Sequence, residues 1–147
     1  MLNLSIVLPT YNEKKNVGIL IPMLKKTFSE INHEIIVVDD SSSDGTMEEI
    51  NKLAHQFSNI HLYVRKEKTG IGSALRFGYN QAKNEIILSC DSDLSFKVDD
   101  LMRVYEKIID GYDLVIGSRH SSASFYEKQS PAIFLKYLVS RFGNFLL

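Results

Sequence analysis

Short apolar runs alternate along this chain with longer stretches whose apolar residues recur at helical spacing. Leu4-Ser5-Ile6-Val7-Leu8 and Glu34-Ile35-Ile36-Val37-Val38 are nearly continuous apolar runs, the pattern of strands buried on both faces. Ile60-His61-Leu62-Tyr63-Val64, Glu85-Ile86-Ile87-Leu88 and Leu114-Val115-Ile116 read as three further strands. Between them the period lengthens. Asn16 to Phe28 is helical in spacing but contains Pro22, which would crowd the Gly18 carbonyl, so a kink or two short helices are expected. Asp44 stands where it can cap a second helix, with Met47, Ile50, Leu53, Ala54 and Phe57 on one face. "GIGSALRFGYNQA" (70–82) predicts a glycine-bearing turn and a helix burying Ala74, Leu75, Phe77 and Ala82. Asp99 or Asp100 opens a fourth helix carrying Leu101, Val104, Tyr105 and Ile108, which stops at Gly111.

Strands and helices in alternation predict an α/β fold with an open, mostly parallel sheet flanked by helices. The polar clusters then become intelligible. "PTYNE", "DDSSSDGT", "DSD" and "GSR" each follow the C-terminal end of an expected strand. In an open parallel sheet those ends share one edge, and ligands bind there.

Composition narrows the reading. The 147 residues are 44% hydrophobic and 24% charged, with a net charge of -1, which fits one domain and excludes wholesale nucleic-acid binding. The lone Cys90 excludes an intrachain disulfide and fits a reducing, cytoplasmic compartment. His33, His55, His61 and His120 lack zinc-type spacing. The N-terminus has no basic region before its short apolar stretch, so it is no signal peptide. No apolar run reaches the length of a spanning helix. The segment 130–147 is expected to form an apolar helix, with Ser130 as N-cap and Pro131 at its first position. With so little polar face it must pack on the domain, on a second copy as a homodimer, or peripherally on a membrane. The chain therefore reads as a single domain, 1–147, lacking sequence that would normally follow.

Each motif has a chemical and a plainer reading. Asp91 and Asp93 can turn toward one hard cation, Mg2+ or Mn2+, or can be solvated loop acids. Asp40 can accept a hydrogen bond from a ribose hydroxyl or a base N–H, while Asp39 orients the loop and Asp44 caps the helix. Gly70 and Gly72 precede a helix N-terminus, where backbone N–H groups can meet an anion or only make a turn. Arg119 can grip phosphate through its fork. Tyr11, Asn12 and Glu13 can stack on and bond a base, or cap the first helix. Arg65, Lys66 and Lys68 read as a solvated basic rim, and His120 as a solvated loop residue.

Taken in order, "VLPTYNE" (7–13), "VVDDSSSDGT" (37–46), "GIGSALRFGYNQA" (70–82), "DSD" (91–93) and "VIGSR" (115–119) resemble the inverting family 2 glycosyltransferases with the GT-A fold. "GSR" followed by a helix holding Ser140 is most similar to the polyprenyl- and dolichol-phosphate sugar transferases. The resemblance implies a hexosyltransferase using a UDP- or GDP-linked sugar, with a polyprenyl phosphate or a saccharide as acceptor. It implies Pro9, Tyr11 and Glu13 at the base and ribose, Asp40 on the nucleotide, Asp91 beside the sugar and ribose, and Asp93 on the metal. Arg119 and Lys136 would meet the acceptor phosphate, and Arg119 alternatively the diphosphate. Two positions depart from the pattern: Ser95 stands where relatives often carry a metal-binding Gln, and Lys136 where the lipid-phosphate enzymes favour Arg.

Other classes fit less of the pattern. A nucleotide-sugar-binding module without turnover would share every motif. A phospho-acceptor receiver domain wants a strand-end lysine and an isolated aspartate, where Arg119 and the Asp91–Asp93 pair stand. A nucleotidyltransferase would want a glycine-rich loop after the first strand, and "PTYNE" is not one.

Overall fold

The computed structural model describes residues 2–67 and 70–118. The chain divides into two units, Met1–Val115 and Ile116–Leu147. All the regular structure described belongs to the first; Ile116–Ser118 carry none. Strands β1 (Leu4–Thr10), β2 (His33–Asp39), β3 (Ile60–Val64) and β4 (Ile86–Ser89) alternate with helices α1 (Lys14–Thr27), α2 (Thr46–Gln56), α3 (Ile71–Gln81) and α4 (Val98–Ile109).

The sheet runs β3-β2-β1-β4, and every pair is parallel. From β1 the chain steps outward to β2 and β3, then returns past β1 to lay down β4 on the other side. Right-handed crossovers turn that reversal into a change of face. Leu4, Ile6, Leu8, Ile35 and Val37 meet α1, α2 and α4 in one layer, with Leu20, Ile21, Ile50, Leu101 and Tyr105. Val7, Ile36 and Val38 meet Ala74 of α3 in the other. Both faces of β1 and β2 are thus covered, so these strands read as unbroken apolar runs. Burying each such side chain contributes about 1.5–3 kcal/mol.

Gly78 sets how closely α3 can lie on the sheet. A Cβ there would overlap Val7 Cγ1 and stand 3.3 Å from Val38 Cγ2. β4 is covered on one face only: Ile86 and Leu88 are buried, whereas Ile87 is exposed.

Two expectations are corrected. Pro22 lies inside one continuous helix, α1, rather than between two short ones. Its ring is on the exposed side, while Val17, Leu20, Ile21 and Leu24 are buried on either side of it. Packing of that face outweighs the lost backbone bond. The fifth strand, expected at Leu114-Val115-Ile116, is absent: 114–118 carry no regular structure, and Leu114 is 75% exposed. Three apolar residues in a row satisfy a strand pattern, but a strand forms only where a partner edge accepts its backbone. The helix expected over 130–147 lies outside the described residues. No helix among the described residues is long and apolar enough to cross a membrane.

Candidate functional site

The C-terminal edge of the sheet is built from the loops that leave β1, β2 and β4 and from the residue that leaves β3. Strand order reverses between β1 and β4, and ligands of open α/β sheets bind at such a switch point. Hydrogen bonds tie the loops to one another. Asn12 N–H donates to Ser42 Oγ at 2.8 Å, and Ser43 N–H donates to Asn12 Oδ1 at 2.9 Å. The Ser92 hydroxyl donates to the Pro9 carbonyl, joining the loop after β4 to the end of β1.

The two aspartates that close β2 have different surroundings. Asp39 is fully buried and saturated: Ser42 N–H and Ser42 Oγ donate to it at 2.8 and 2.6 Å, and Thr10 Oγ1 at 2.9 Å. It orients the loop, as expected. Asp40 is 7% exposed, and Arg65 holds it in a fork, with Nε on Oδ1 at 2.7 Å and an NH2 hydrogen on Oδ2 at 2.9 Å. Arg65 also donates to Ser73 Oγ at 2.8 Å. The expectation of a solvated Arg65 is therefore corrected: its side chain is only 12% exposed, because the first residue after β3 points at the first residue after β2. The strand register, with Asp39 opposite Val64, was the signal that could have found it.

Asp44 accepts from Thr46 N–H at 3.0 Å and from the Thr46 hydroxyl, and its second oxygen accepts from Lys14 N–H at 3.1 Å. The Thr46 hydroxyl, followed by these N–H groups, holds its carboxyl below the usual range. The expected capping position is corrected: Gly45, not Asp44, is the N-cap of α2, and Asp44 bonds Thr46 from one residue before it while fastening the start of α1. Glu13 N–H donates to Thr46 Oγ1 at 2.9 Å, and the Glu13 carboxylate accepts from Asn16 Nδ2 at 2.6 Å. Tyr11 stands half-exposed at the end of β1.

Asp91 and Asp93 are exposed on either side of buried Ser92. Asp93 Oδ1 accepts from Ser95 N–H at 3.0 Å, leaving its other oxygen outside that turn. Two hard oxygen donors on a solvated rim suit Mg2+ or Mn2+, cations that keep water and phosphate oxygens in their shell. No group of three or more His, Cys, Asp or Glu able to hold a metal exists among the described residues. Two carboxylates alone would leave the other coordination positions of such an ion to ligands from outside the chain. Cys90 beside them is a poor ligand, since burial, with the Asp91 charge adding, pushes its thiol up to about 12.

Gly70, with φ 91°, immediately precedes α3, and Gly72 falls in its first turn. Asn12, Ser41 and Leu94 adopt left-handed φ of 57°, 56° and 59°, one in each of the loops after β1, β2 and β4. Non-glycine residues rarely take this conformation, and such strain clusters at functional loops. Nothing in the sequence marked Leu94 for it. Arg119, Lys136, His120 and Lys68 lie outside the described residues.

The family model described as Glycosyl transferase family 2 matches residues 5–145. A dolichol-phosphate mannosyltransferase of Saccharomyces cerevisiae is 32% identical over 136 residues, spanning 86% of this chain and 48% of that protein. One of Pyrococcus furiosus is 31% identical over 119 residues, spanning 81% and 34%. The chain thus spans about half or less of the length of the curated relatives it matches. Among solved structures, S. aureus TarS 1–349 in complex with UDP-GlcNAc is 27% identical, with a TM-score of 0.61 over 74% of this chain and 31% of that one. Mannosyltransferase PcManGT from Pyrobaculum calidifontis, in complex with GDP-Man and Mn2+, is 24% identical, with a TM-score of 0.60 over 75% and 33%. These neighbours are GT-A glycosyltransferases, and the parallel sheet with helices on both faces is that fold.

Proposed function

From the premise that the chain belongs to glycosyl transferase family 2, we propose that it transfers a sugar from a nucleotide-diphosphate donor to an acceptor with inversion, using Mg2+ or Mn2+. The observation that carries this furthest is that the loops after β1, β2 and β4, which bear Tyr11, Asp40 and the Asp91–Asp93 pair, are hydrogen-bonded to one another at one switch-point edge. A relative in complex with UDP-GlcNAc supports a nucleotide-sugar donor. Relatives named for dolichol phosphate support a polyprenyl phosphate as acceptor, ahead of a saccharide.

In this reading Pro9, Tyr11 and Glu13 line the base and ribose. Asp40 accepts from the nucleotide. Gly70 and Gly72 carry no side chain at the start of α3, so that N–H groups there can approach an anion. Asp91 and Asp93 hold the divalent ion, which when bound sets positive charge against the departing diphosphate. Asp91 also faces the sugar and ribose. The acceptor phosphate attacks the anomeric carbon from the face opposite the leaving group. Already an anion at neutral pH, it needs no strong base. Arg119 and Lys136 are assigned to that phosphate by sequence alone. The reading takes 1–147 as one catalytic domain, with 130–147 as its contact to a membrane or a second copy.

The test is a melting-temperature screen of UDP- and GDP-sugars with and without Mn2+, followed by donor hydrolysis and transfer assays. A ligand present at a hundred times its Kd stabilises the fold by about 2.7 kcal/mol, a shift of several degrees. A metal-dependent shift that Asp93→Ala abolishes, together with turnover, supports the transferase. A shift without hydrolysis or transfer would leave a donor-binding module instead. No shift with any sugar nucleotide would sink both readings.

A further inference from the structure

The Asp40–Arg65 pair is unusual for its position. It sits at the rim, yet the Arg65 side chain is 12% exposed and that of Asp40 7%. A buried ion pair is a poor way to gain stability, since apolar residues of the same volume commonly do as well. Here the pair also reaches a third element. One guanidinium joins the end of β2 through Asp40, its own position after β3, and the first turn of α3 through Ser73 Oγ at 2.8 Å. Its backbone is held as firmly: Arg65 N–H donates to the Asp39 carbonyl at 2.8 Å, and Ser41 Oγ donates to the Arg65 carbonyl at 2.6 Å.

This arrangement restricts Asp40. Without a partner its carboxylate could rotate about its last torsion. Oδ1 lies 2.7 Å from Nε and 2.6 Å from NH2, and NH2 also reaches Oδ2 at 2.9 Å, so both carboxylate oxygens are tied to the guanidinium. An ionised carboxylate has about four acceptor directions, so one engaged by a fork can still accept from a ligand, but only along directions the fork dictates. The remaining nitrogen, NH1, donates to Ser73 Oγ at 2.8 Å and so braces the guanidinium itself.

We propose that Arg65 is a positioning residue for the donor: it fixes the Asp40 carboxylate in the geometry that receives the nucleotide. The proposal rests on the reading of Asp40 as a nucleotide acceptor. Arg65 acts through Asp40, so its effect must vanish when Asp40 can no longer perform that role.

A double-mutant cycle on nucleotide affinity tests this. Calorimetric Kd values for UDP and for GDP with Mn2+ are measured on the wild type, Arg65→Lys, Asp40→Asn and the double variant. Mn2+-pyrophosphate serves as a probe without a base, and melting temperatures are recorded alongside. Lysine keeps the charge and loses the fork. The expected result is about tenfold weaker binding of the preferred nucleotide by Arg65→Lys, in line with the loss of one charge-assisted bond. Pyrophosphate affinity should stay within about twofold, and the double variant should bind no more weakly than Asp40→Asn. Multiplying losses in the double variant, or wild-type affinity in Arg65→Lys, would overturn the proposal while leaving Asp40 as acceptor. Equal losses of nucleotide and pyrophosphate would overturn it too, by showing a merely structural role. Should Arg65→Lys fail to fold, Arg65→Gln paired with Asp40→Asn gives a neutral, amide-bonded pair, and the proposal expects it to bind like Asp40→Asn alone. A wild type that binds neither nucleotide would sink the donor reading itself, a result distinct from all of these.

Discussion

At the scale of single residues, environment rather than type decides what each group does. Cys90 is the sole thiol of the chain, yet burial, with the Asp91 charge adding, pushes it up to about 12. The thiolate is the reactive species, so at pH 8 the folded protein should resist iodoacetamide, and alkylation should follow unfolding; mass spectrometry of native and urea-treated samples reads this directly. His33 is governed by the same effect with the opposite sign. Its ring is buried beside Phe28, Nδ1 lies 2.7 Å from the Ile31 carbonyl, and Nε2 is buried without a partner. Desolvation disfavours the charged form and lowers its pKa from the ordinary 6.5. A base whose folded pKa is depressed binds its proton more readily in the unfolded chain. Stability is therefore intact above pH 6.5 and falls as pH drops below it toward the folded value. The melting temperature should decline between pH 7 and pH 5, and His33→Phe should flatten that decline; equal slopes would show that His33 is not its source. None of this was legible in the sequence, because a histidine beside a strand looks the same buried or solvated.

At the scale of elements, periodicity was a good guide to existence and a poor one to close approach. β3 was expected at the residues where it is found, and β1 and β2 each run slightly longer, since their last residues bond into the edge network. The α3 face was read from Ala74, Leu75, Phe77 and Ala82, but the contact that sets its height is Gly78, which no apolar pattern marks. Gly78→Ala should destabilise by about 1–3 kcal/mol, the usual range for overpacking. Chemical denaturation measures that loss, and Val7→Ala in the same chain should restore part of it by vacating the space. α1 offers the reverse experiment. Pro22 is exposed inside a helix held by its buried face, so Pro22→Ala restores a backbone bond without disturbing packing. The interior-proline penalty is about 3 kcal/mol, reduced by about 1 kcal/mol because alanine frees the unfolded chain. A net gain is expected. A loss would mean that the ring itself packs on something α1 needs.

At the scale of the whole molecule, an apolar sheet with a polar edge was legible because strands that alternate with helices run parallel, and parallel strands bring their C-terminal ends to one edge. The alliance of the loops was not legible. That Ser92 would bond Pro9, or Arg65 would seize Asp40, depends on register, which the sequence does not print. Four aspartates of this edge show how fold and function separate. Asp39 is buried and accepts three hydrogen bonds, so removing it strands donors inside the protein. Asp39→Ala should cost about 1–3 kcal/mol or more, whether or not any ligand is present. Asp40 is shared, held by Arg65 and turned to the rim. Asp91 and Asp93 are exposed, and Asp93 accepts a hydrogen bond from Ser95 N–H, which an asparagine oxygen can accept as well. Two like charges a residue apart repel, so neutralising them should cost the bare fold nothing and could relieve it slightly. Asp91→Asn/Asp93→Asn should therefore melt at or above the wild-type temperature in chelator, and yet gain nothing from Mn2+ with a sugar nucleotide. That combination would mark the pair as kept for a ligand. A double variant that melts well below wild type in chelator would instead make these carboxylates part of the scaffold, and the metal reading would lose its foundation.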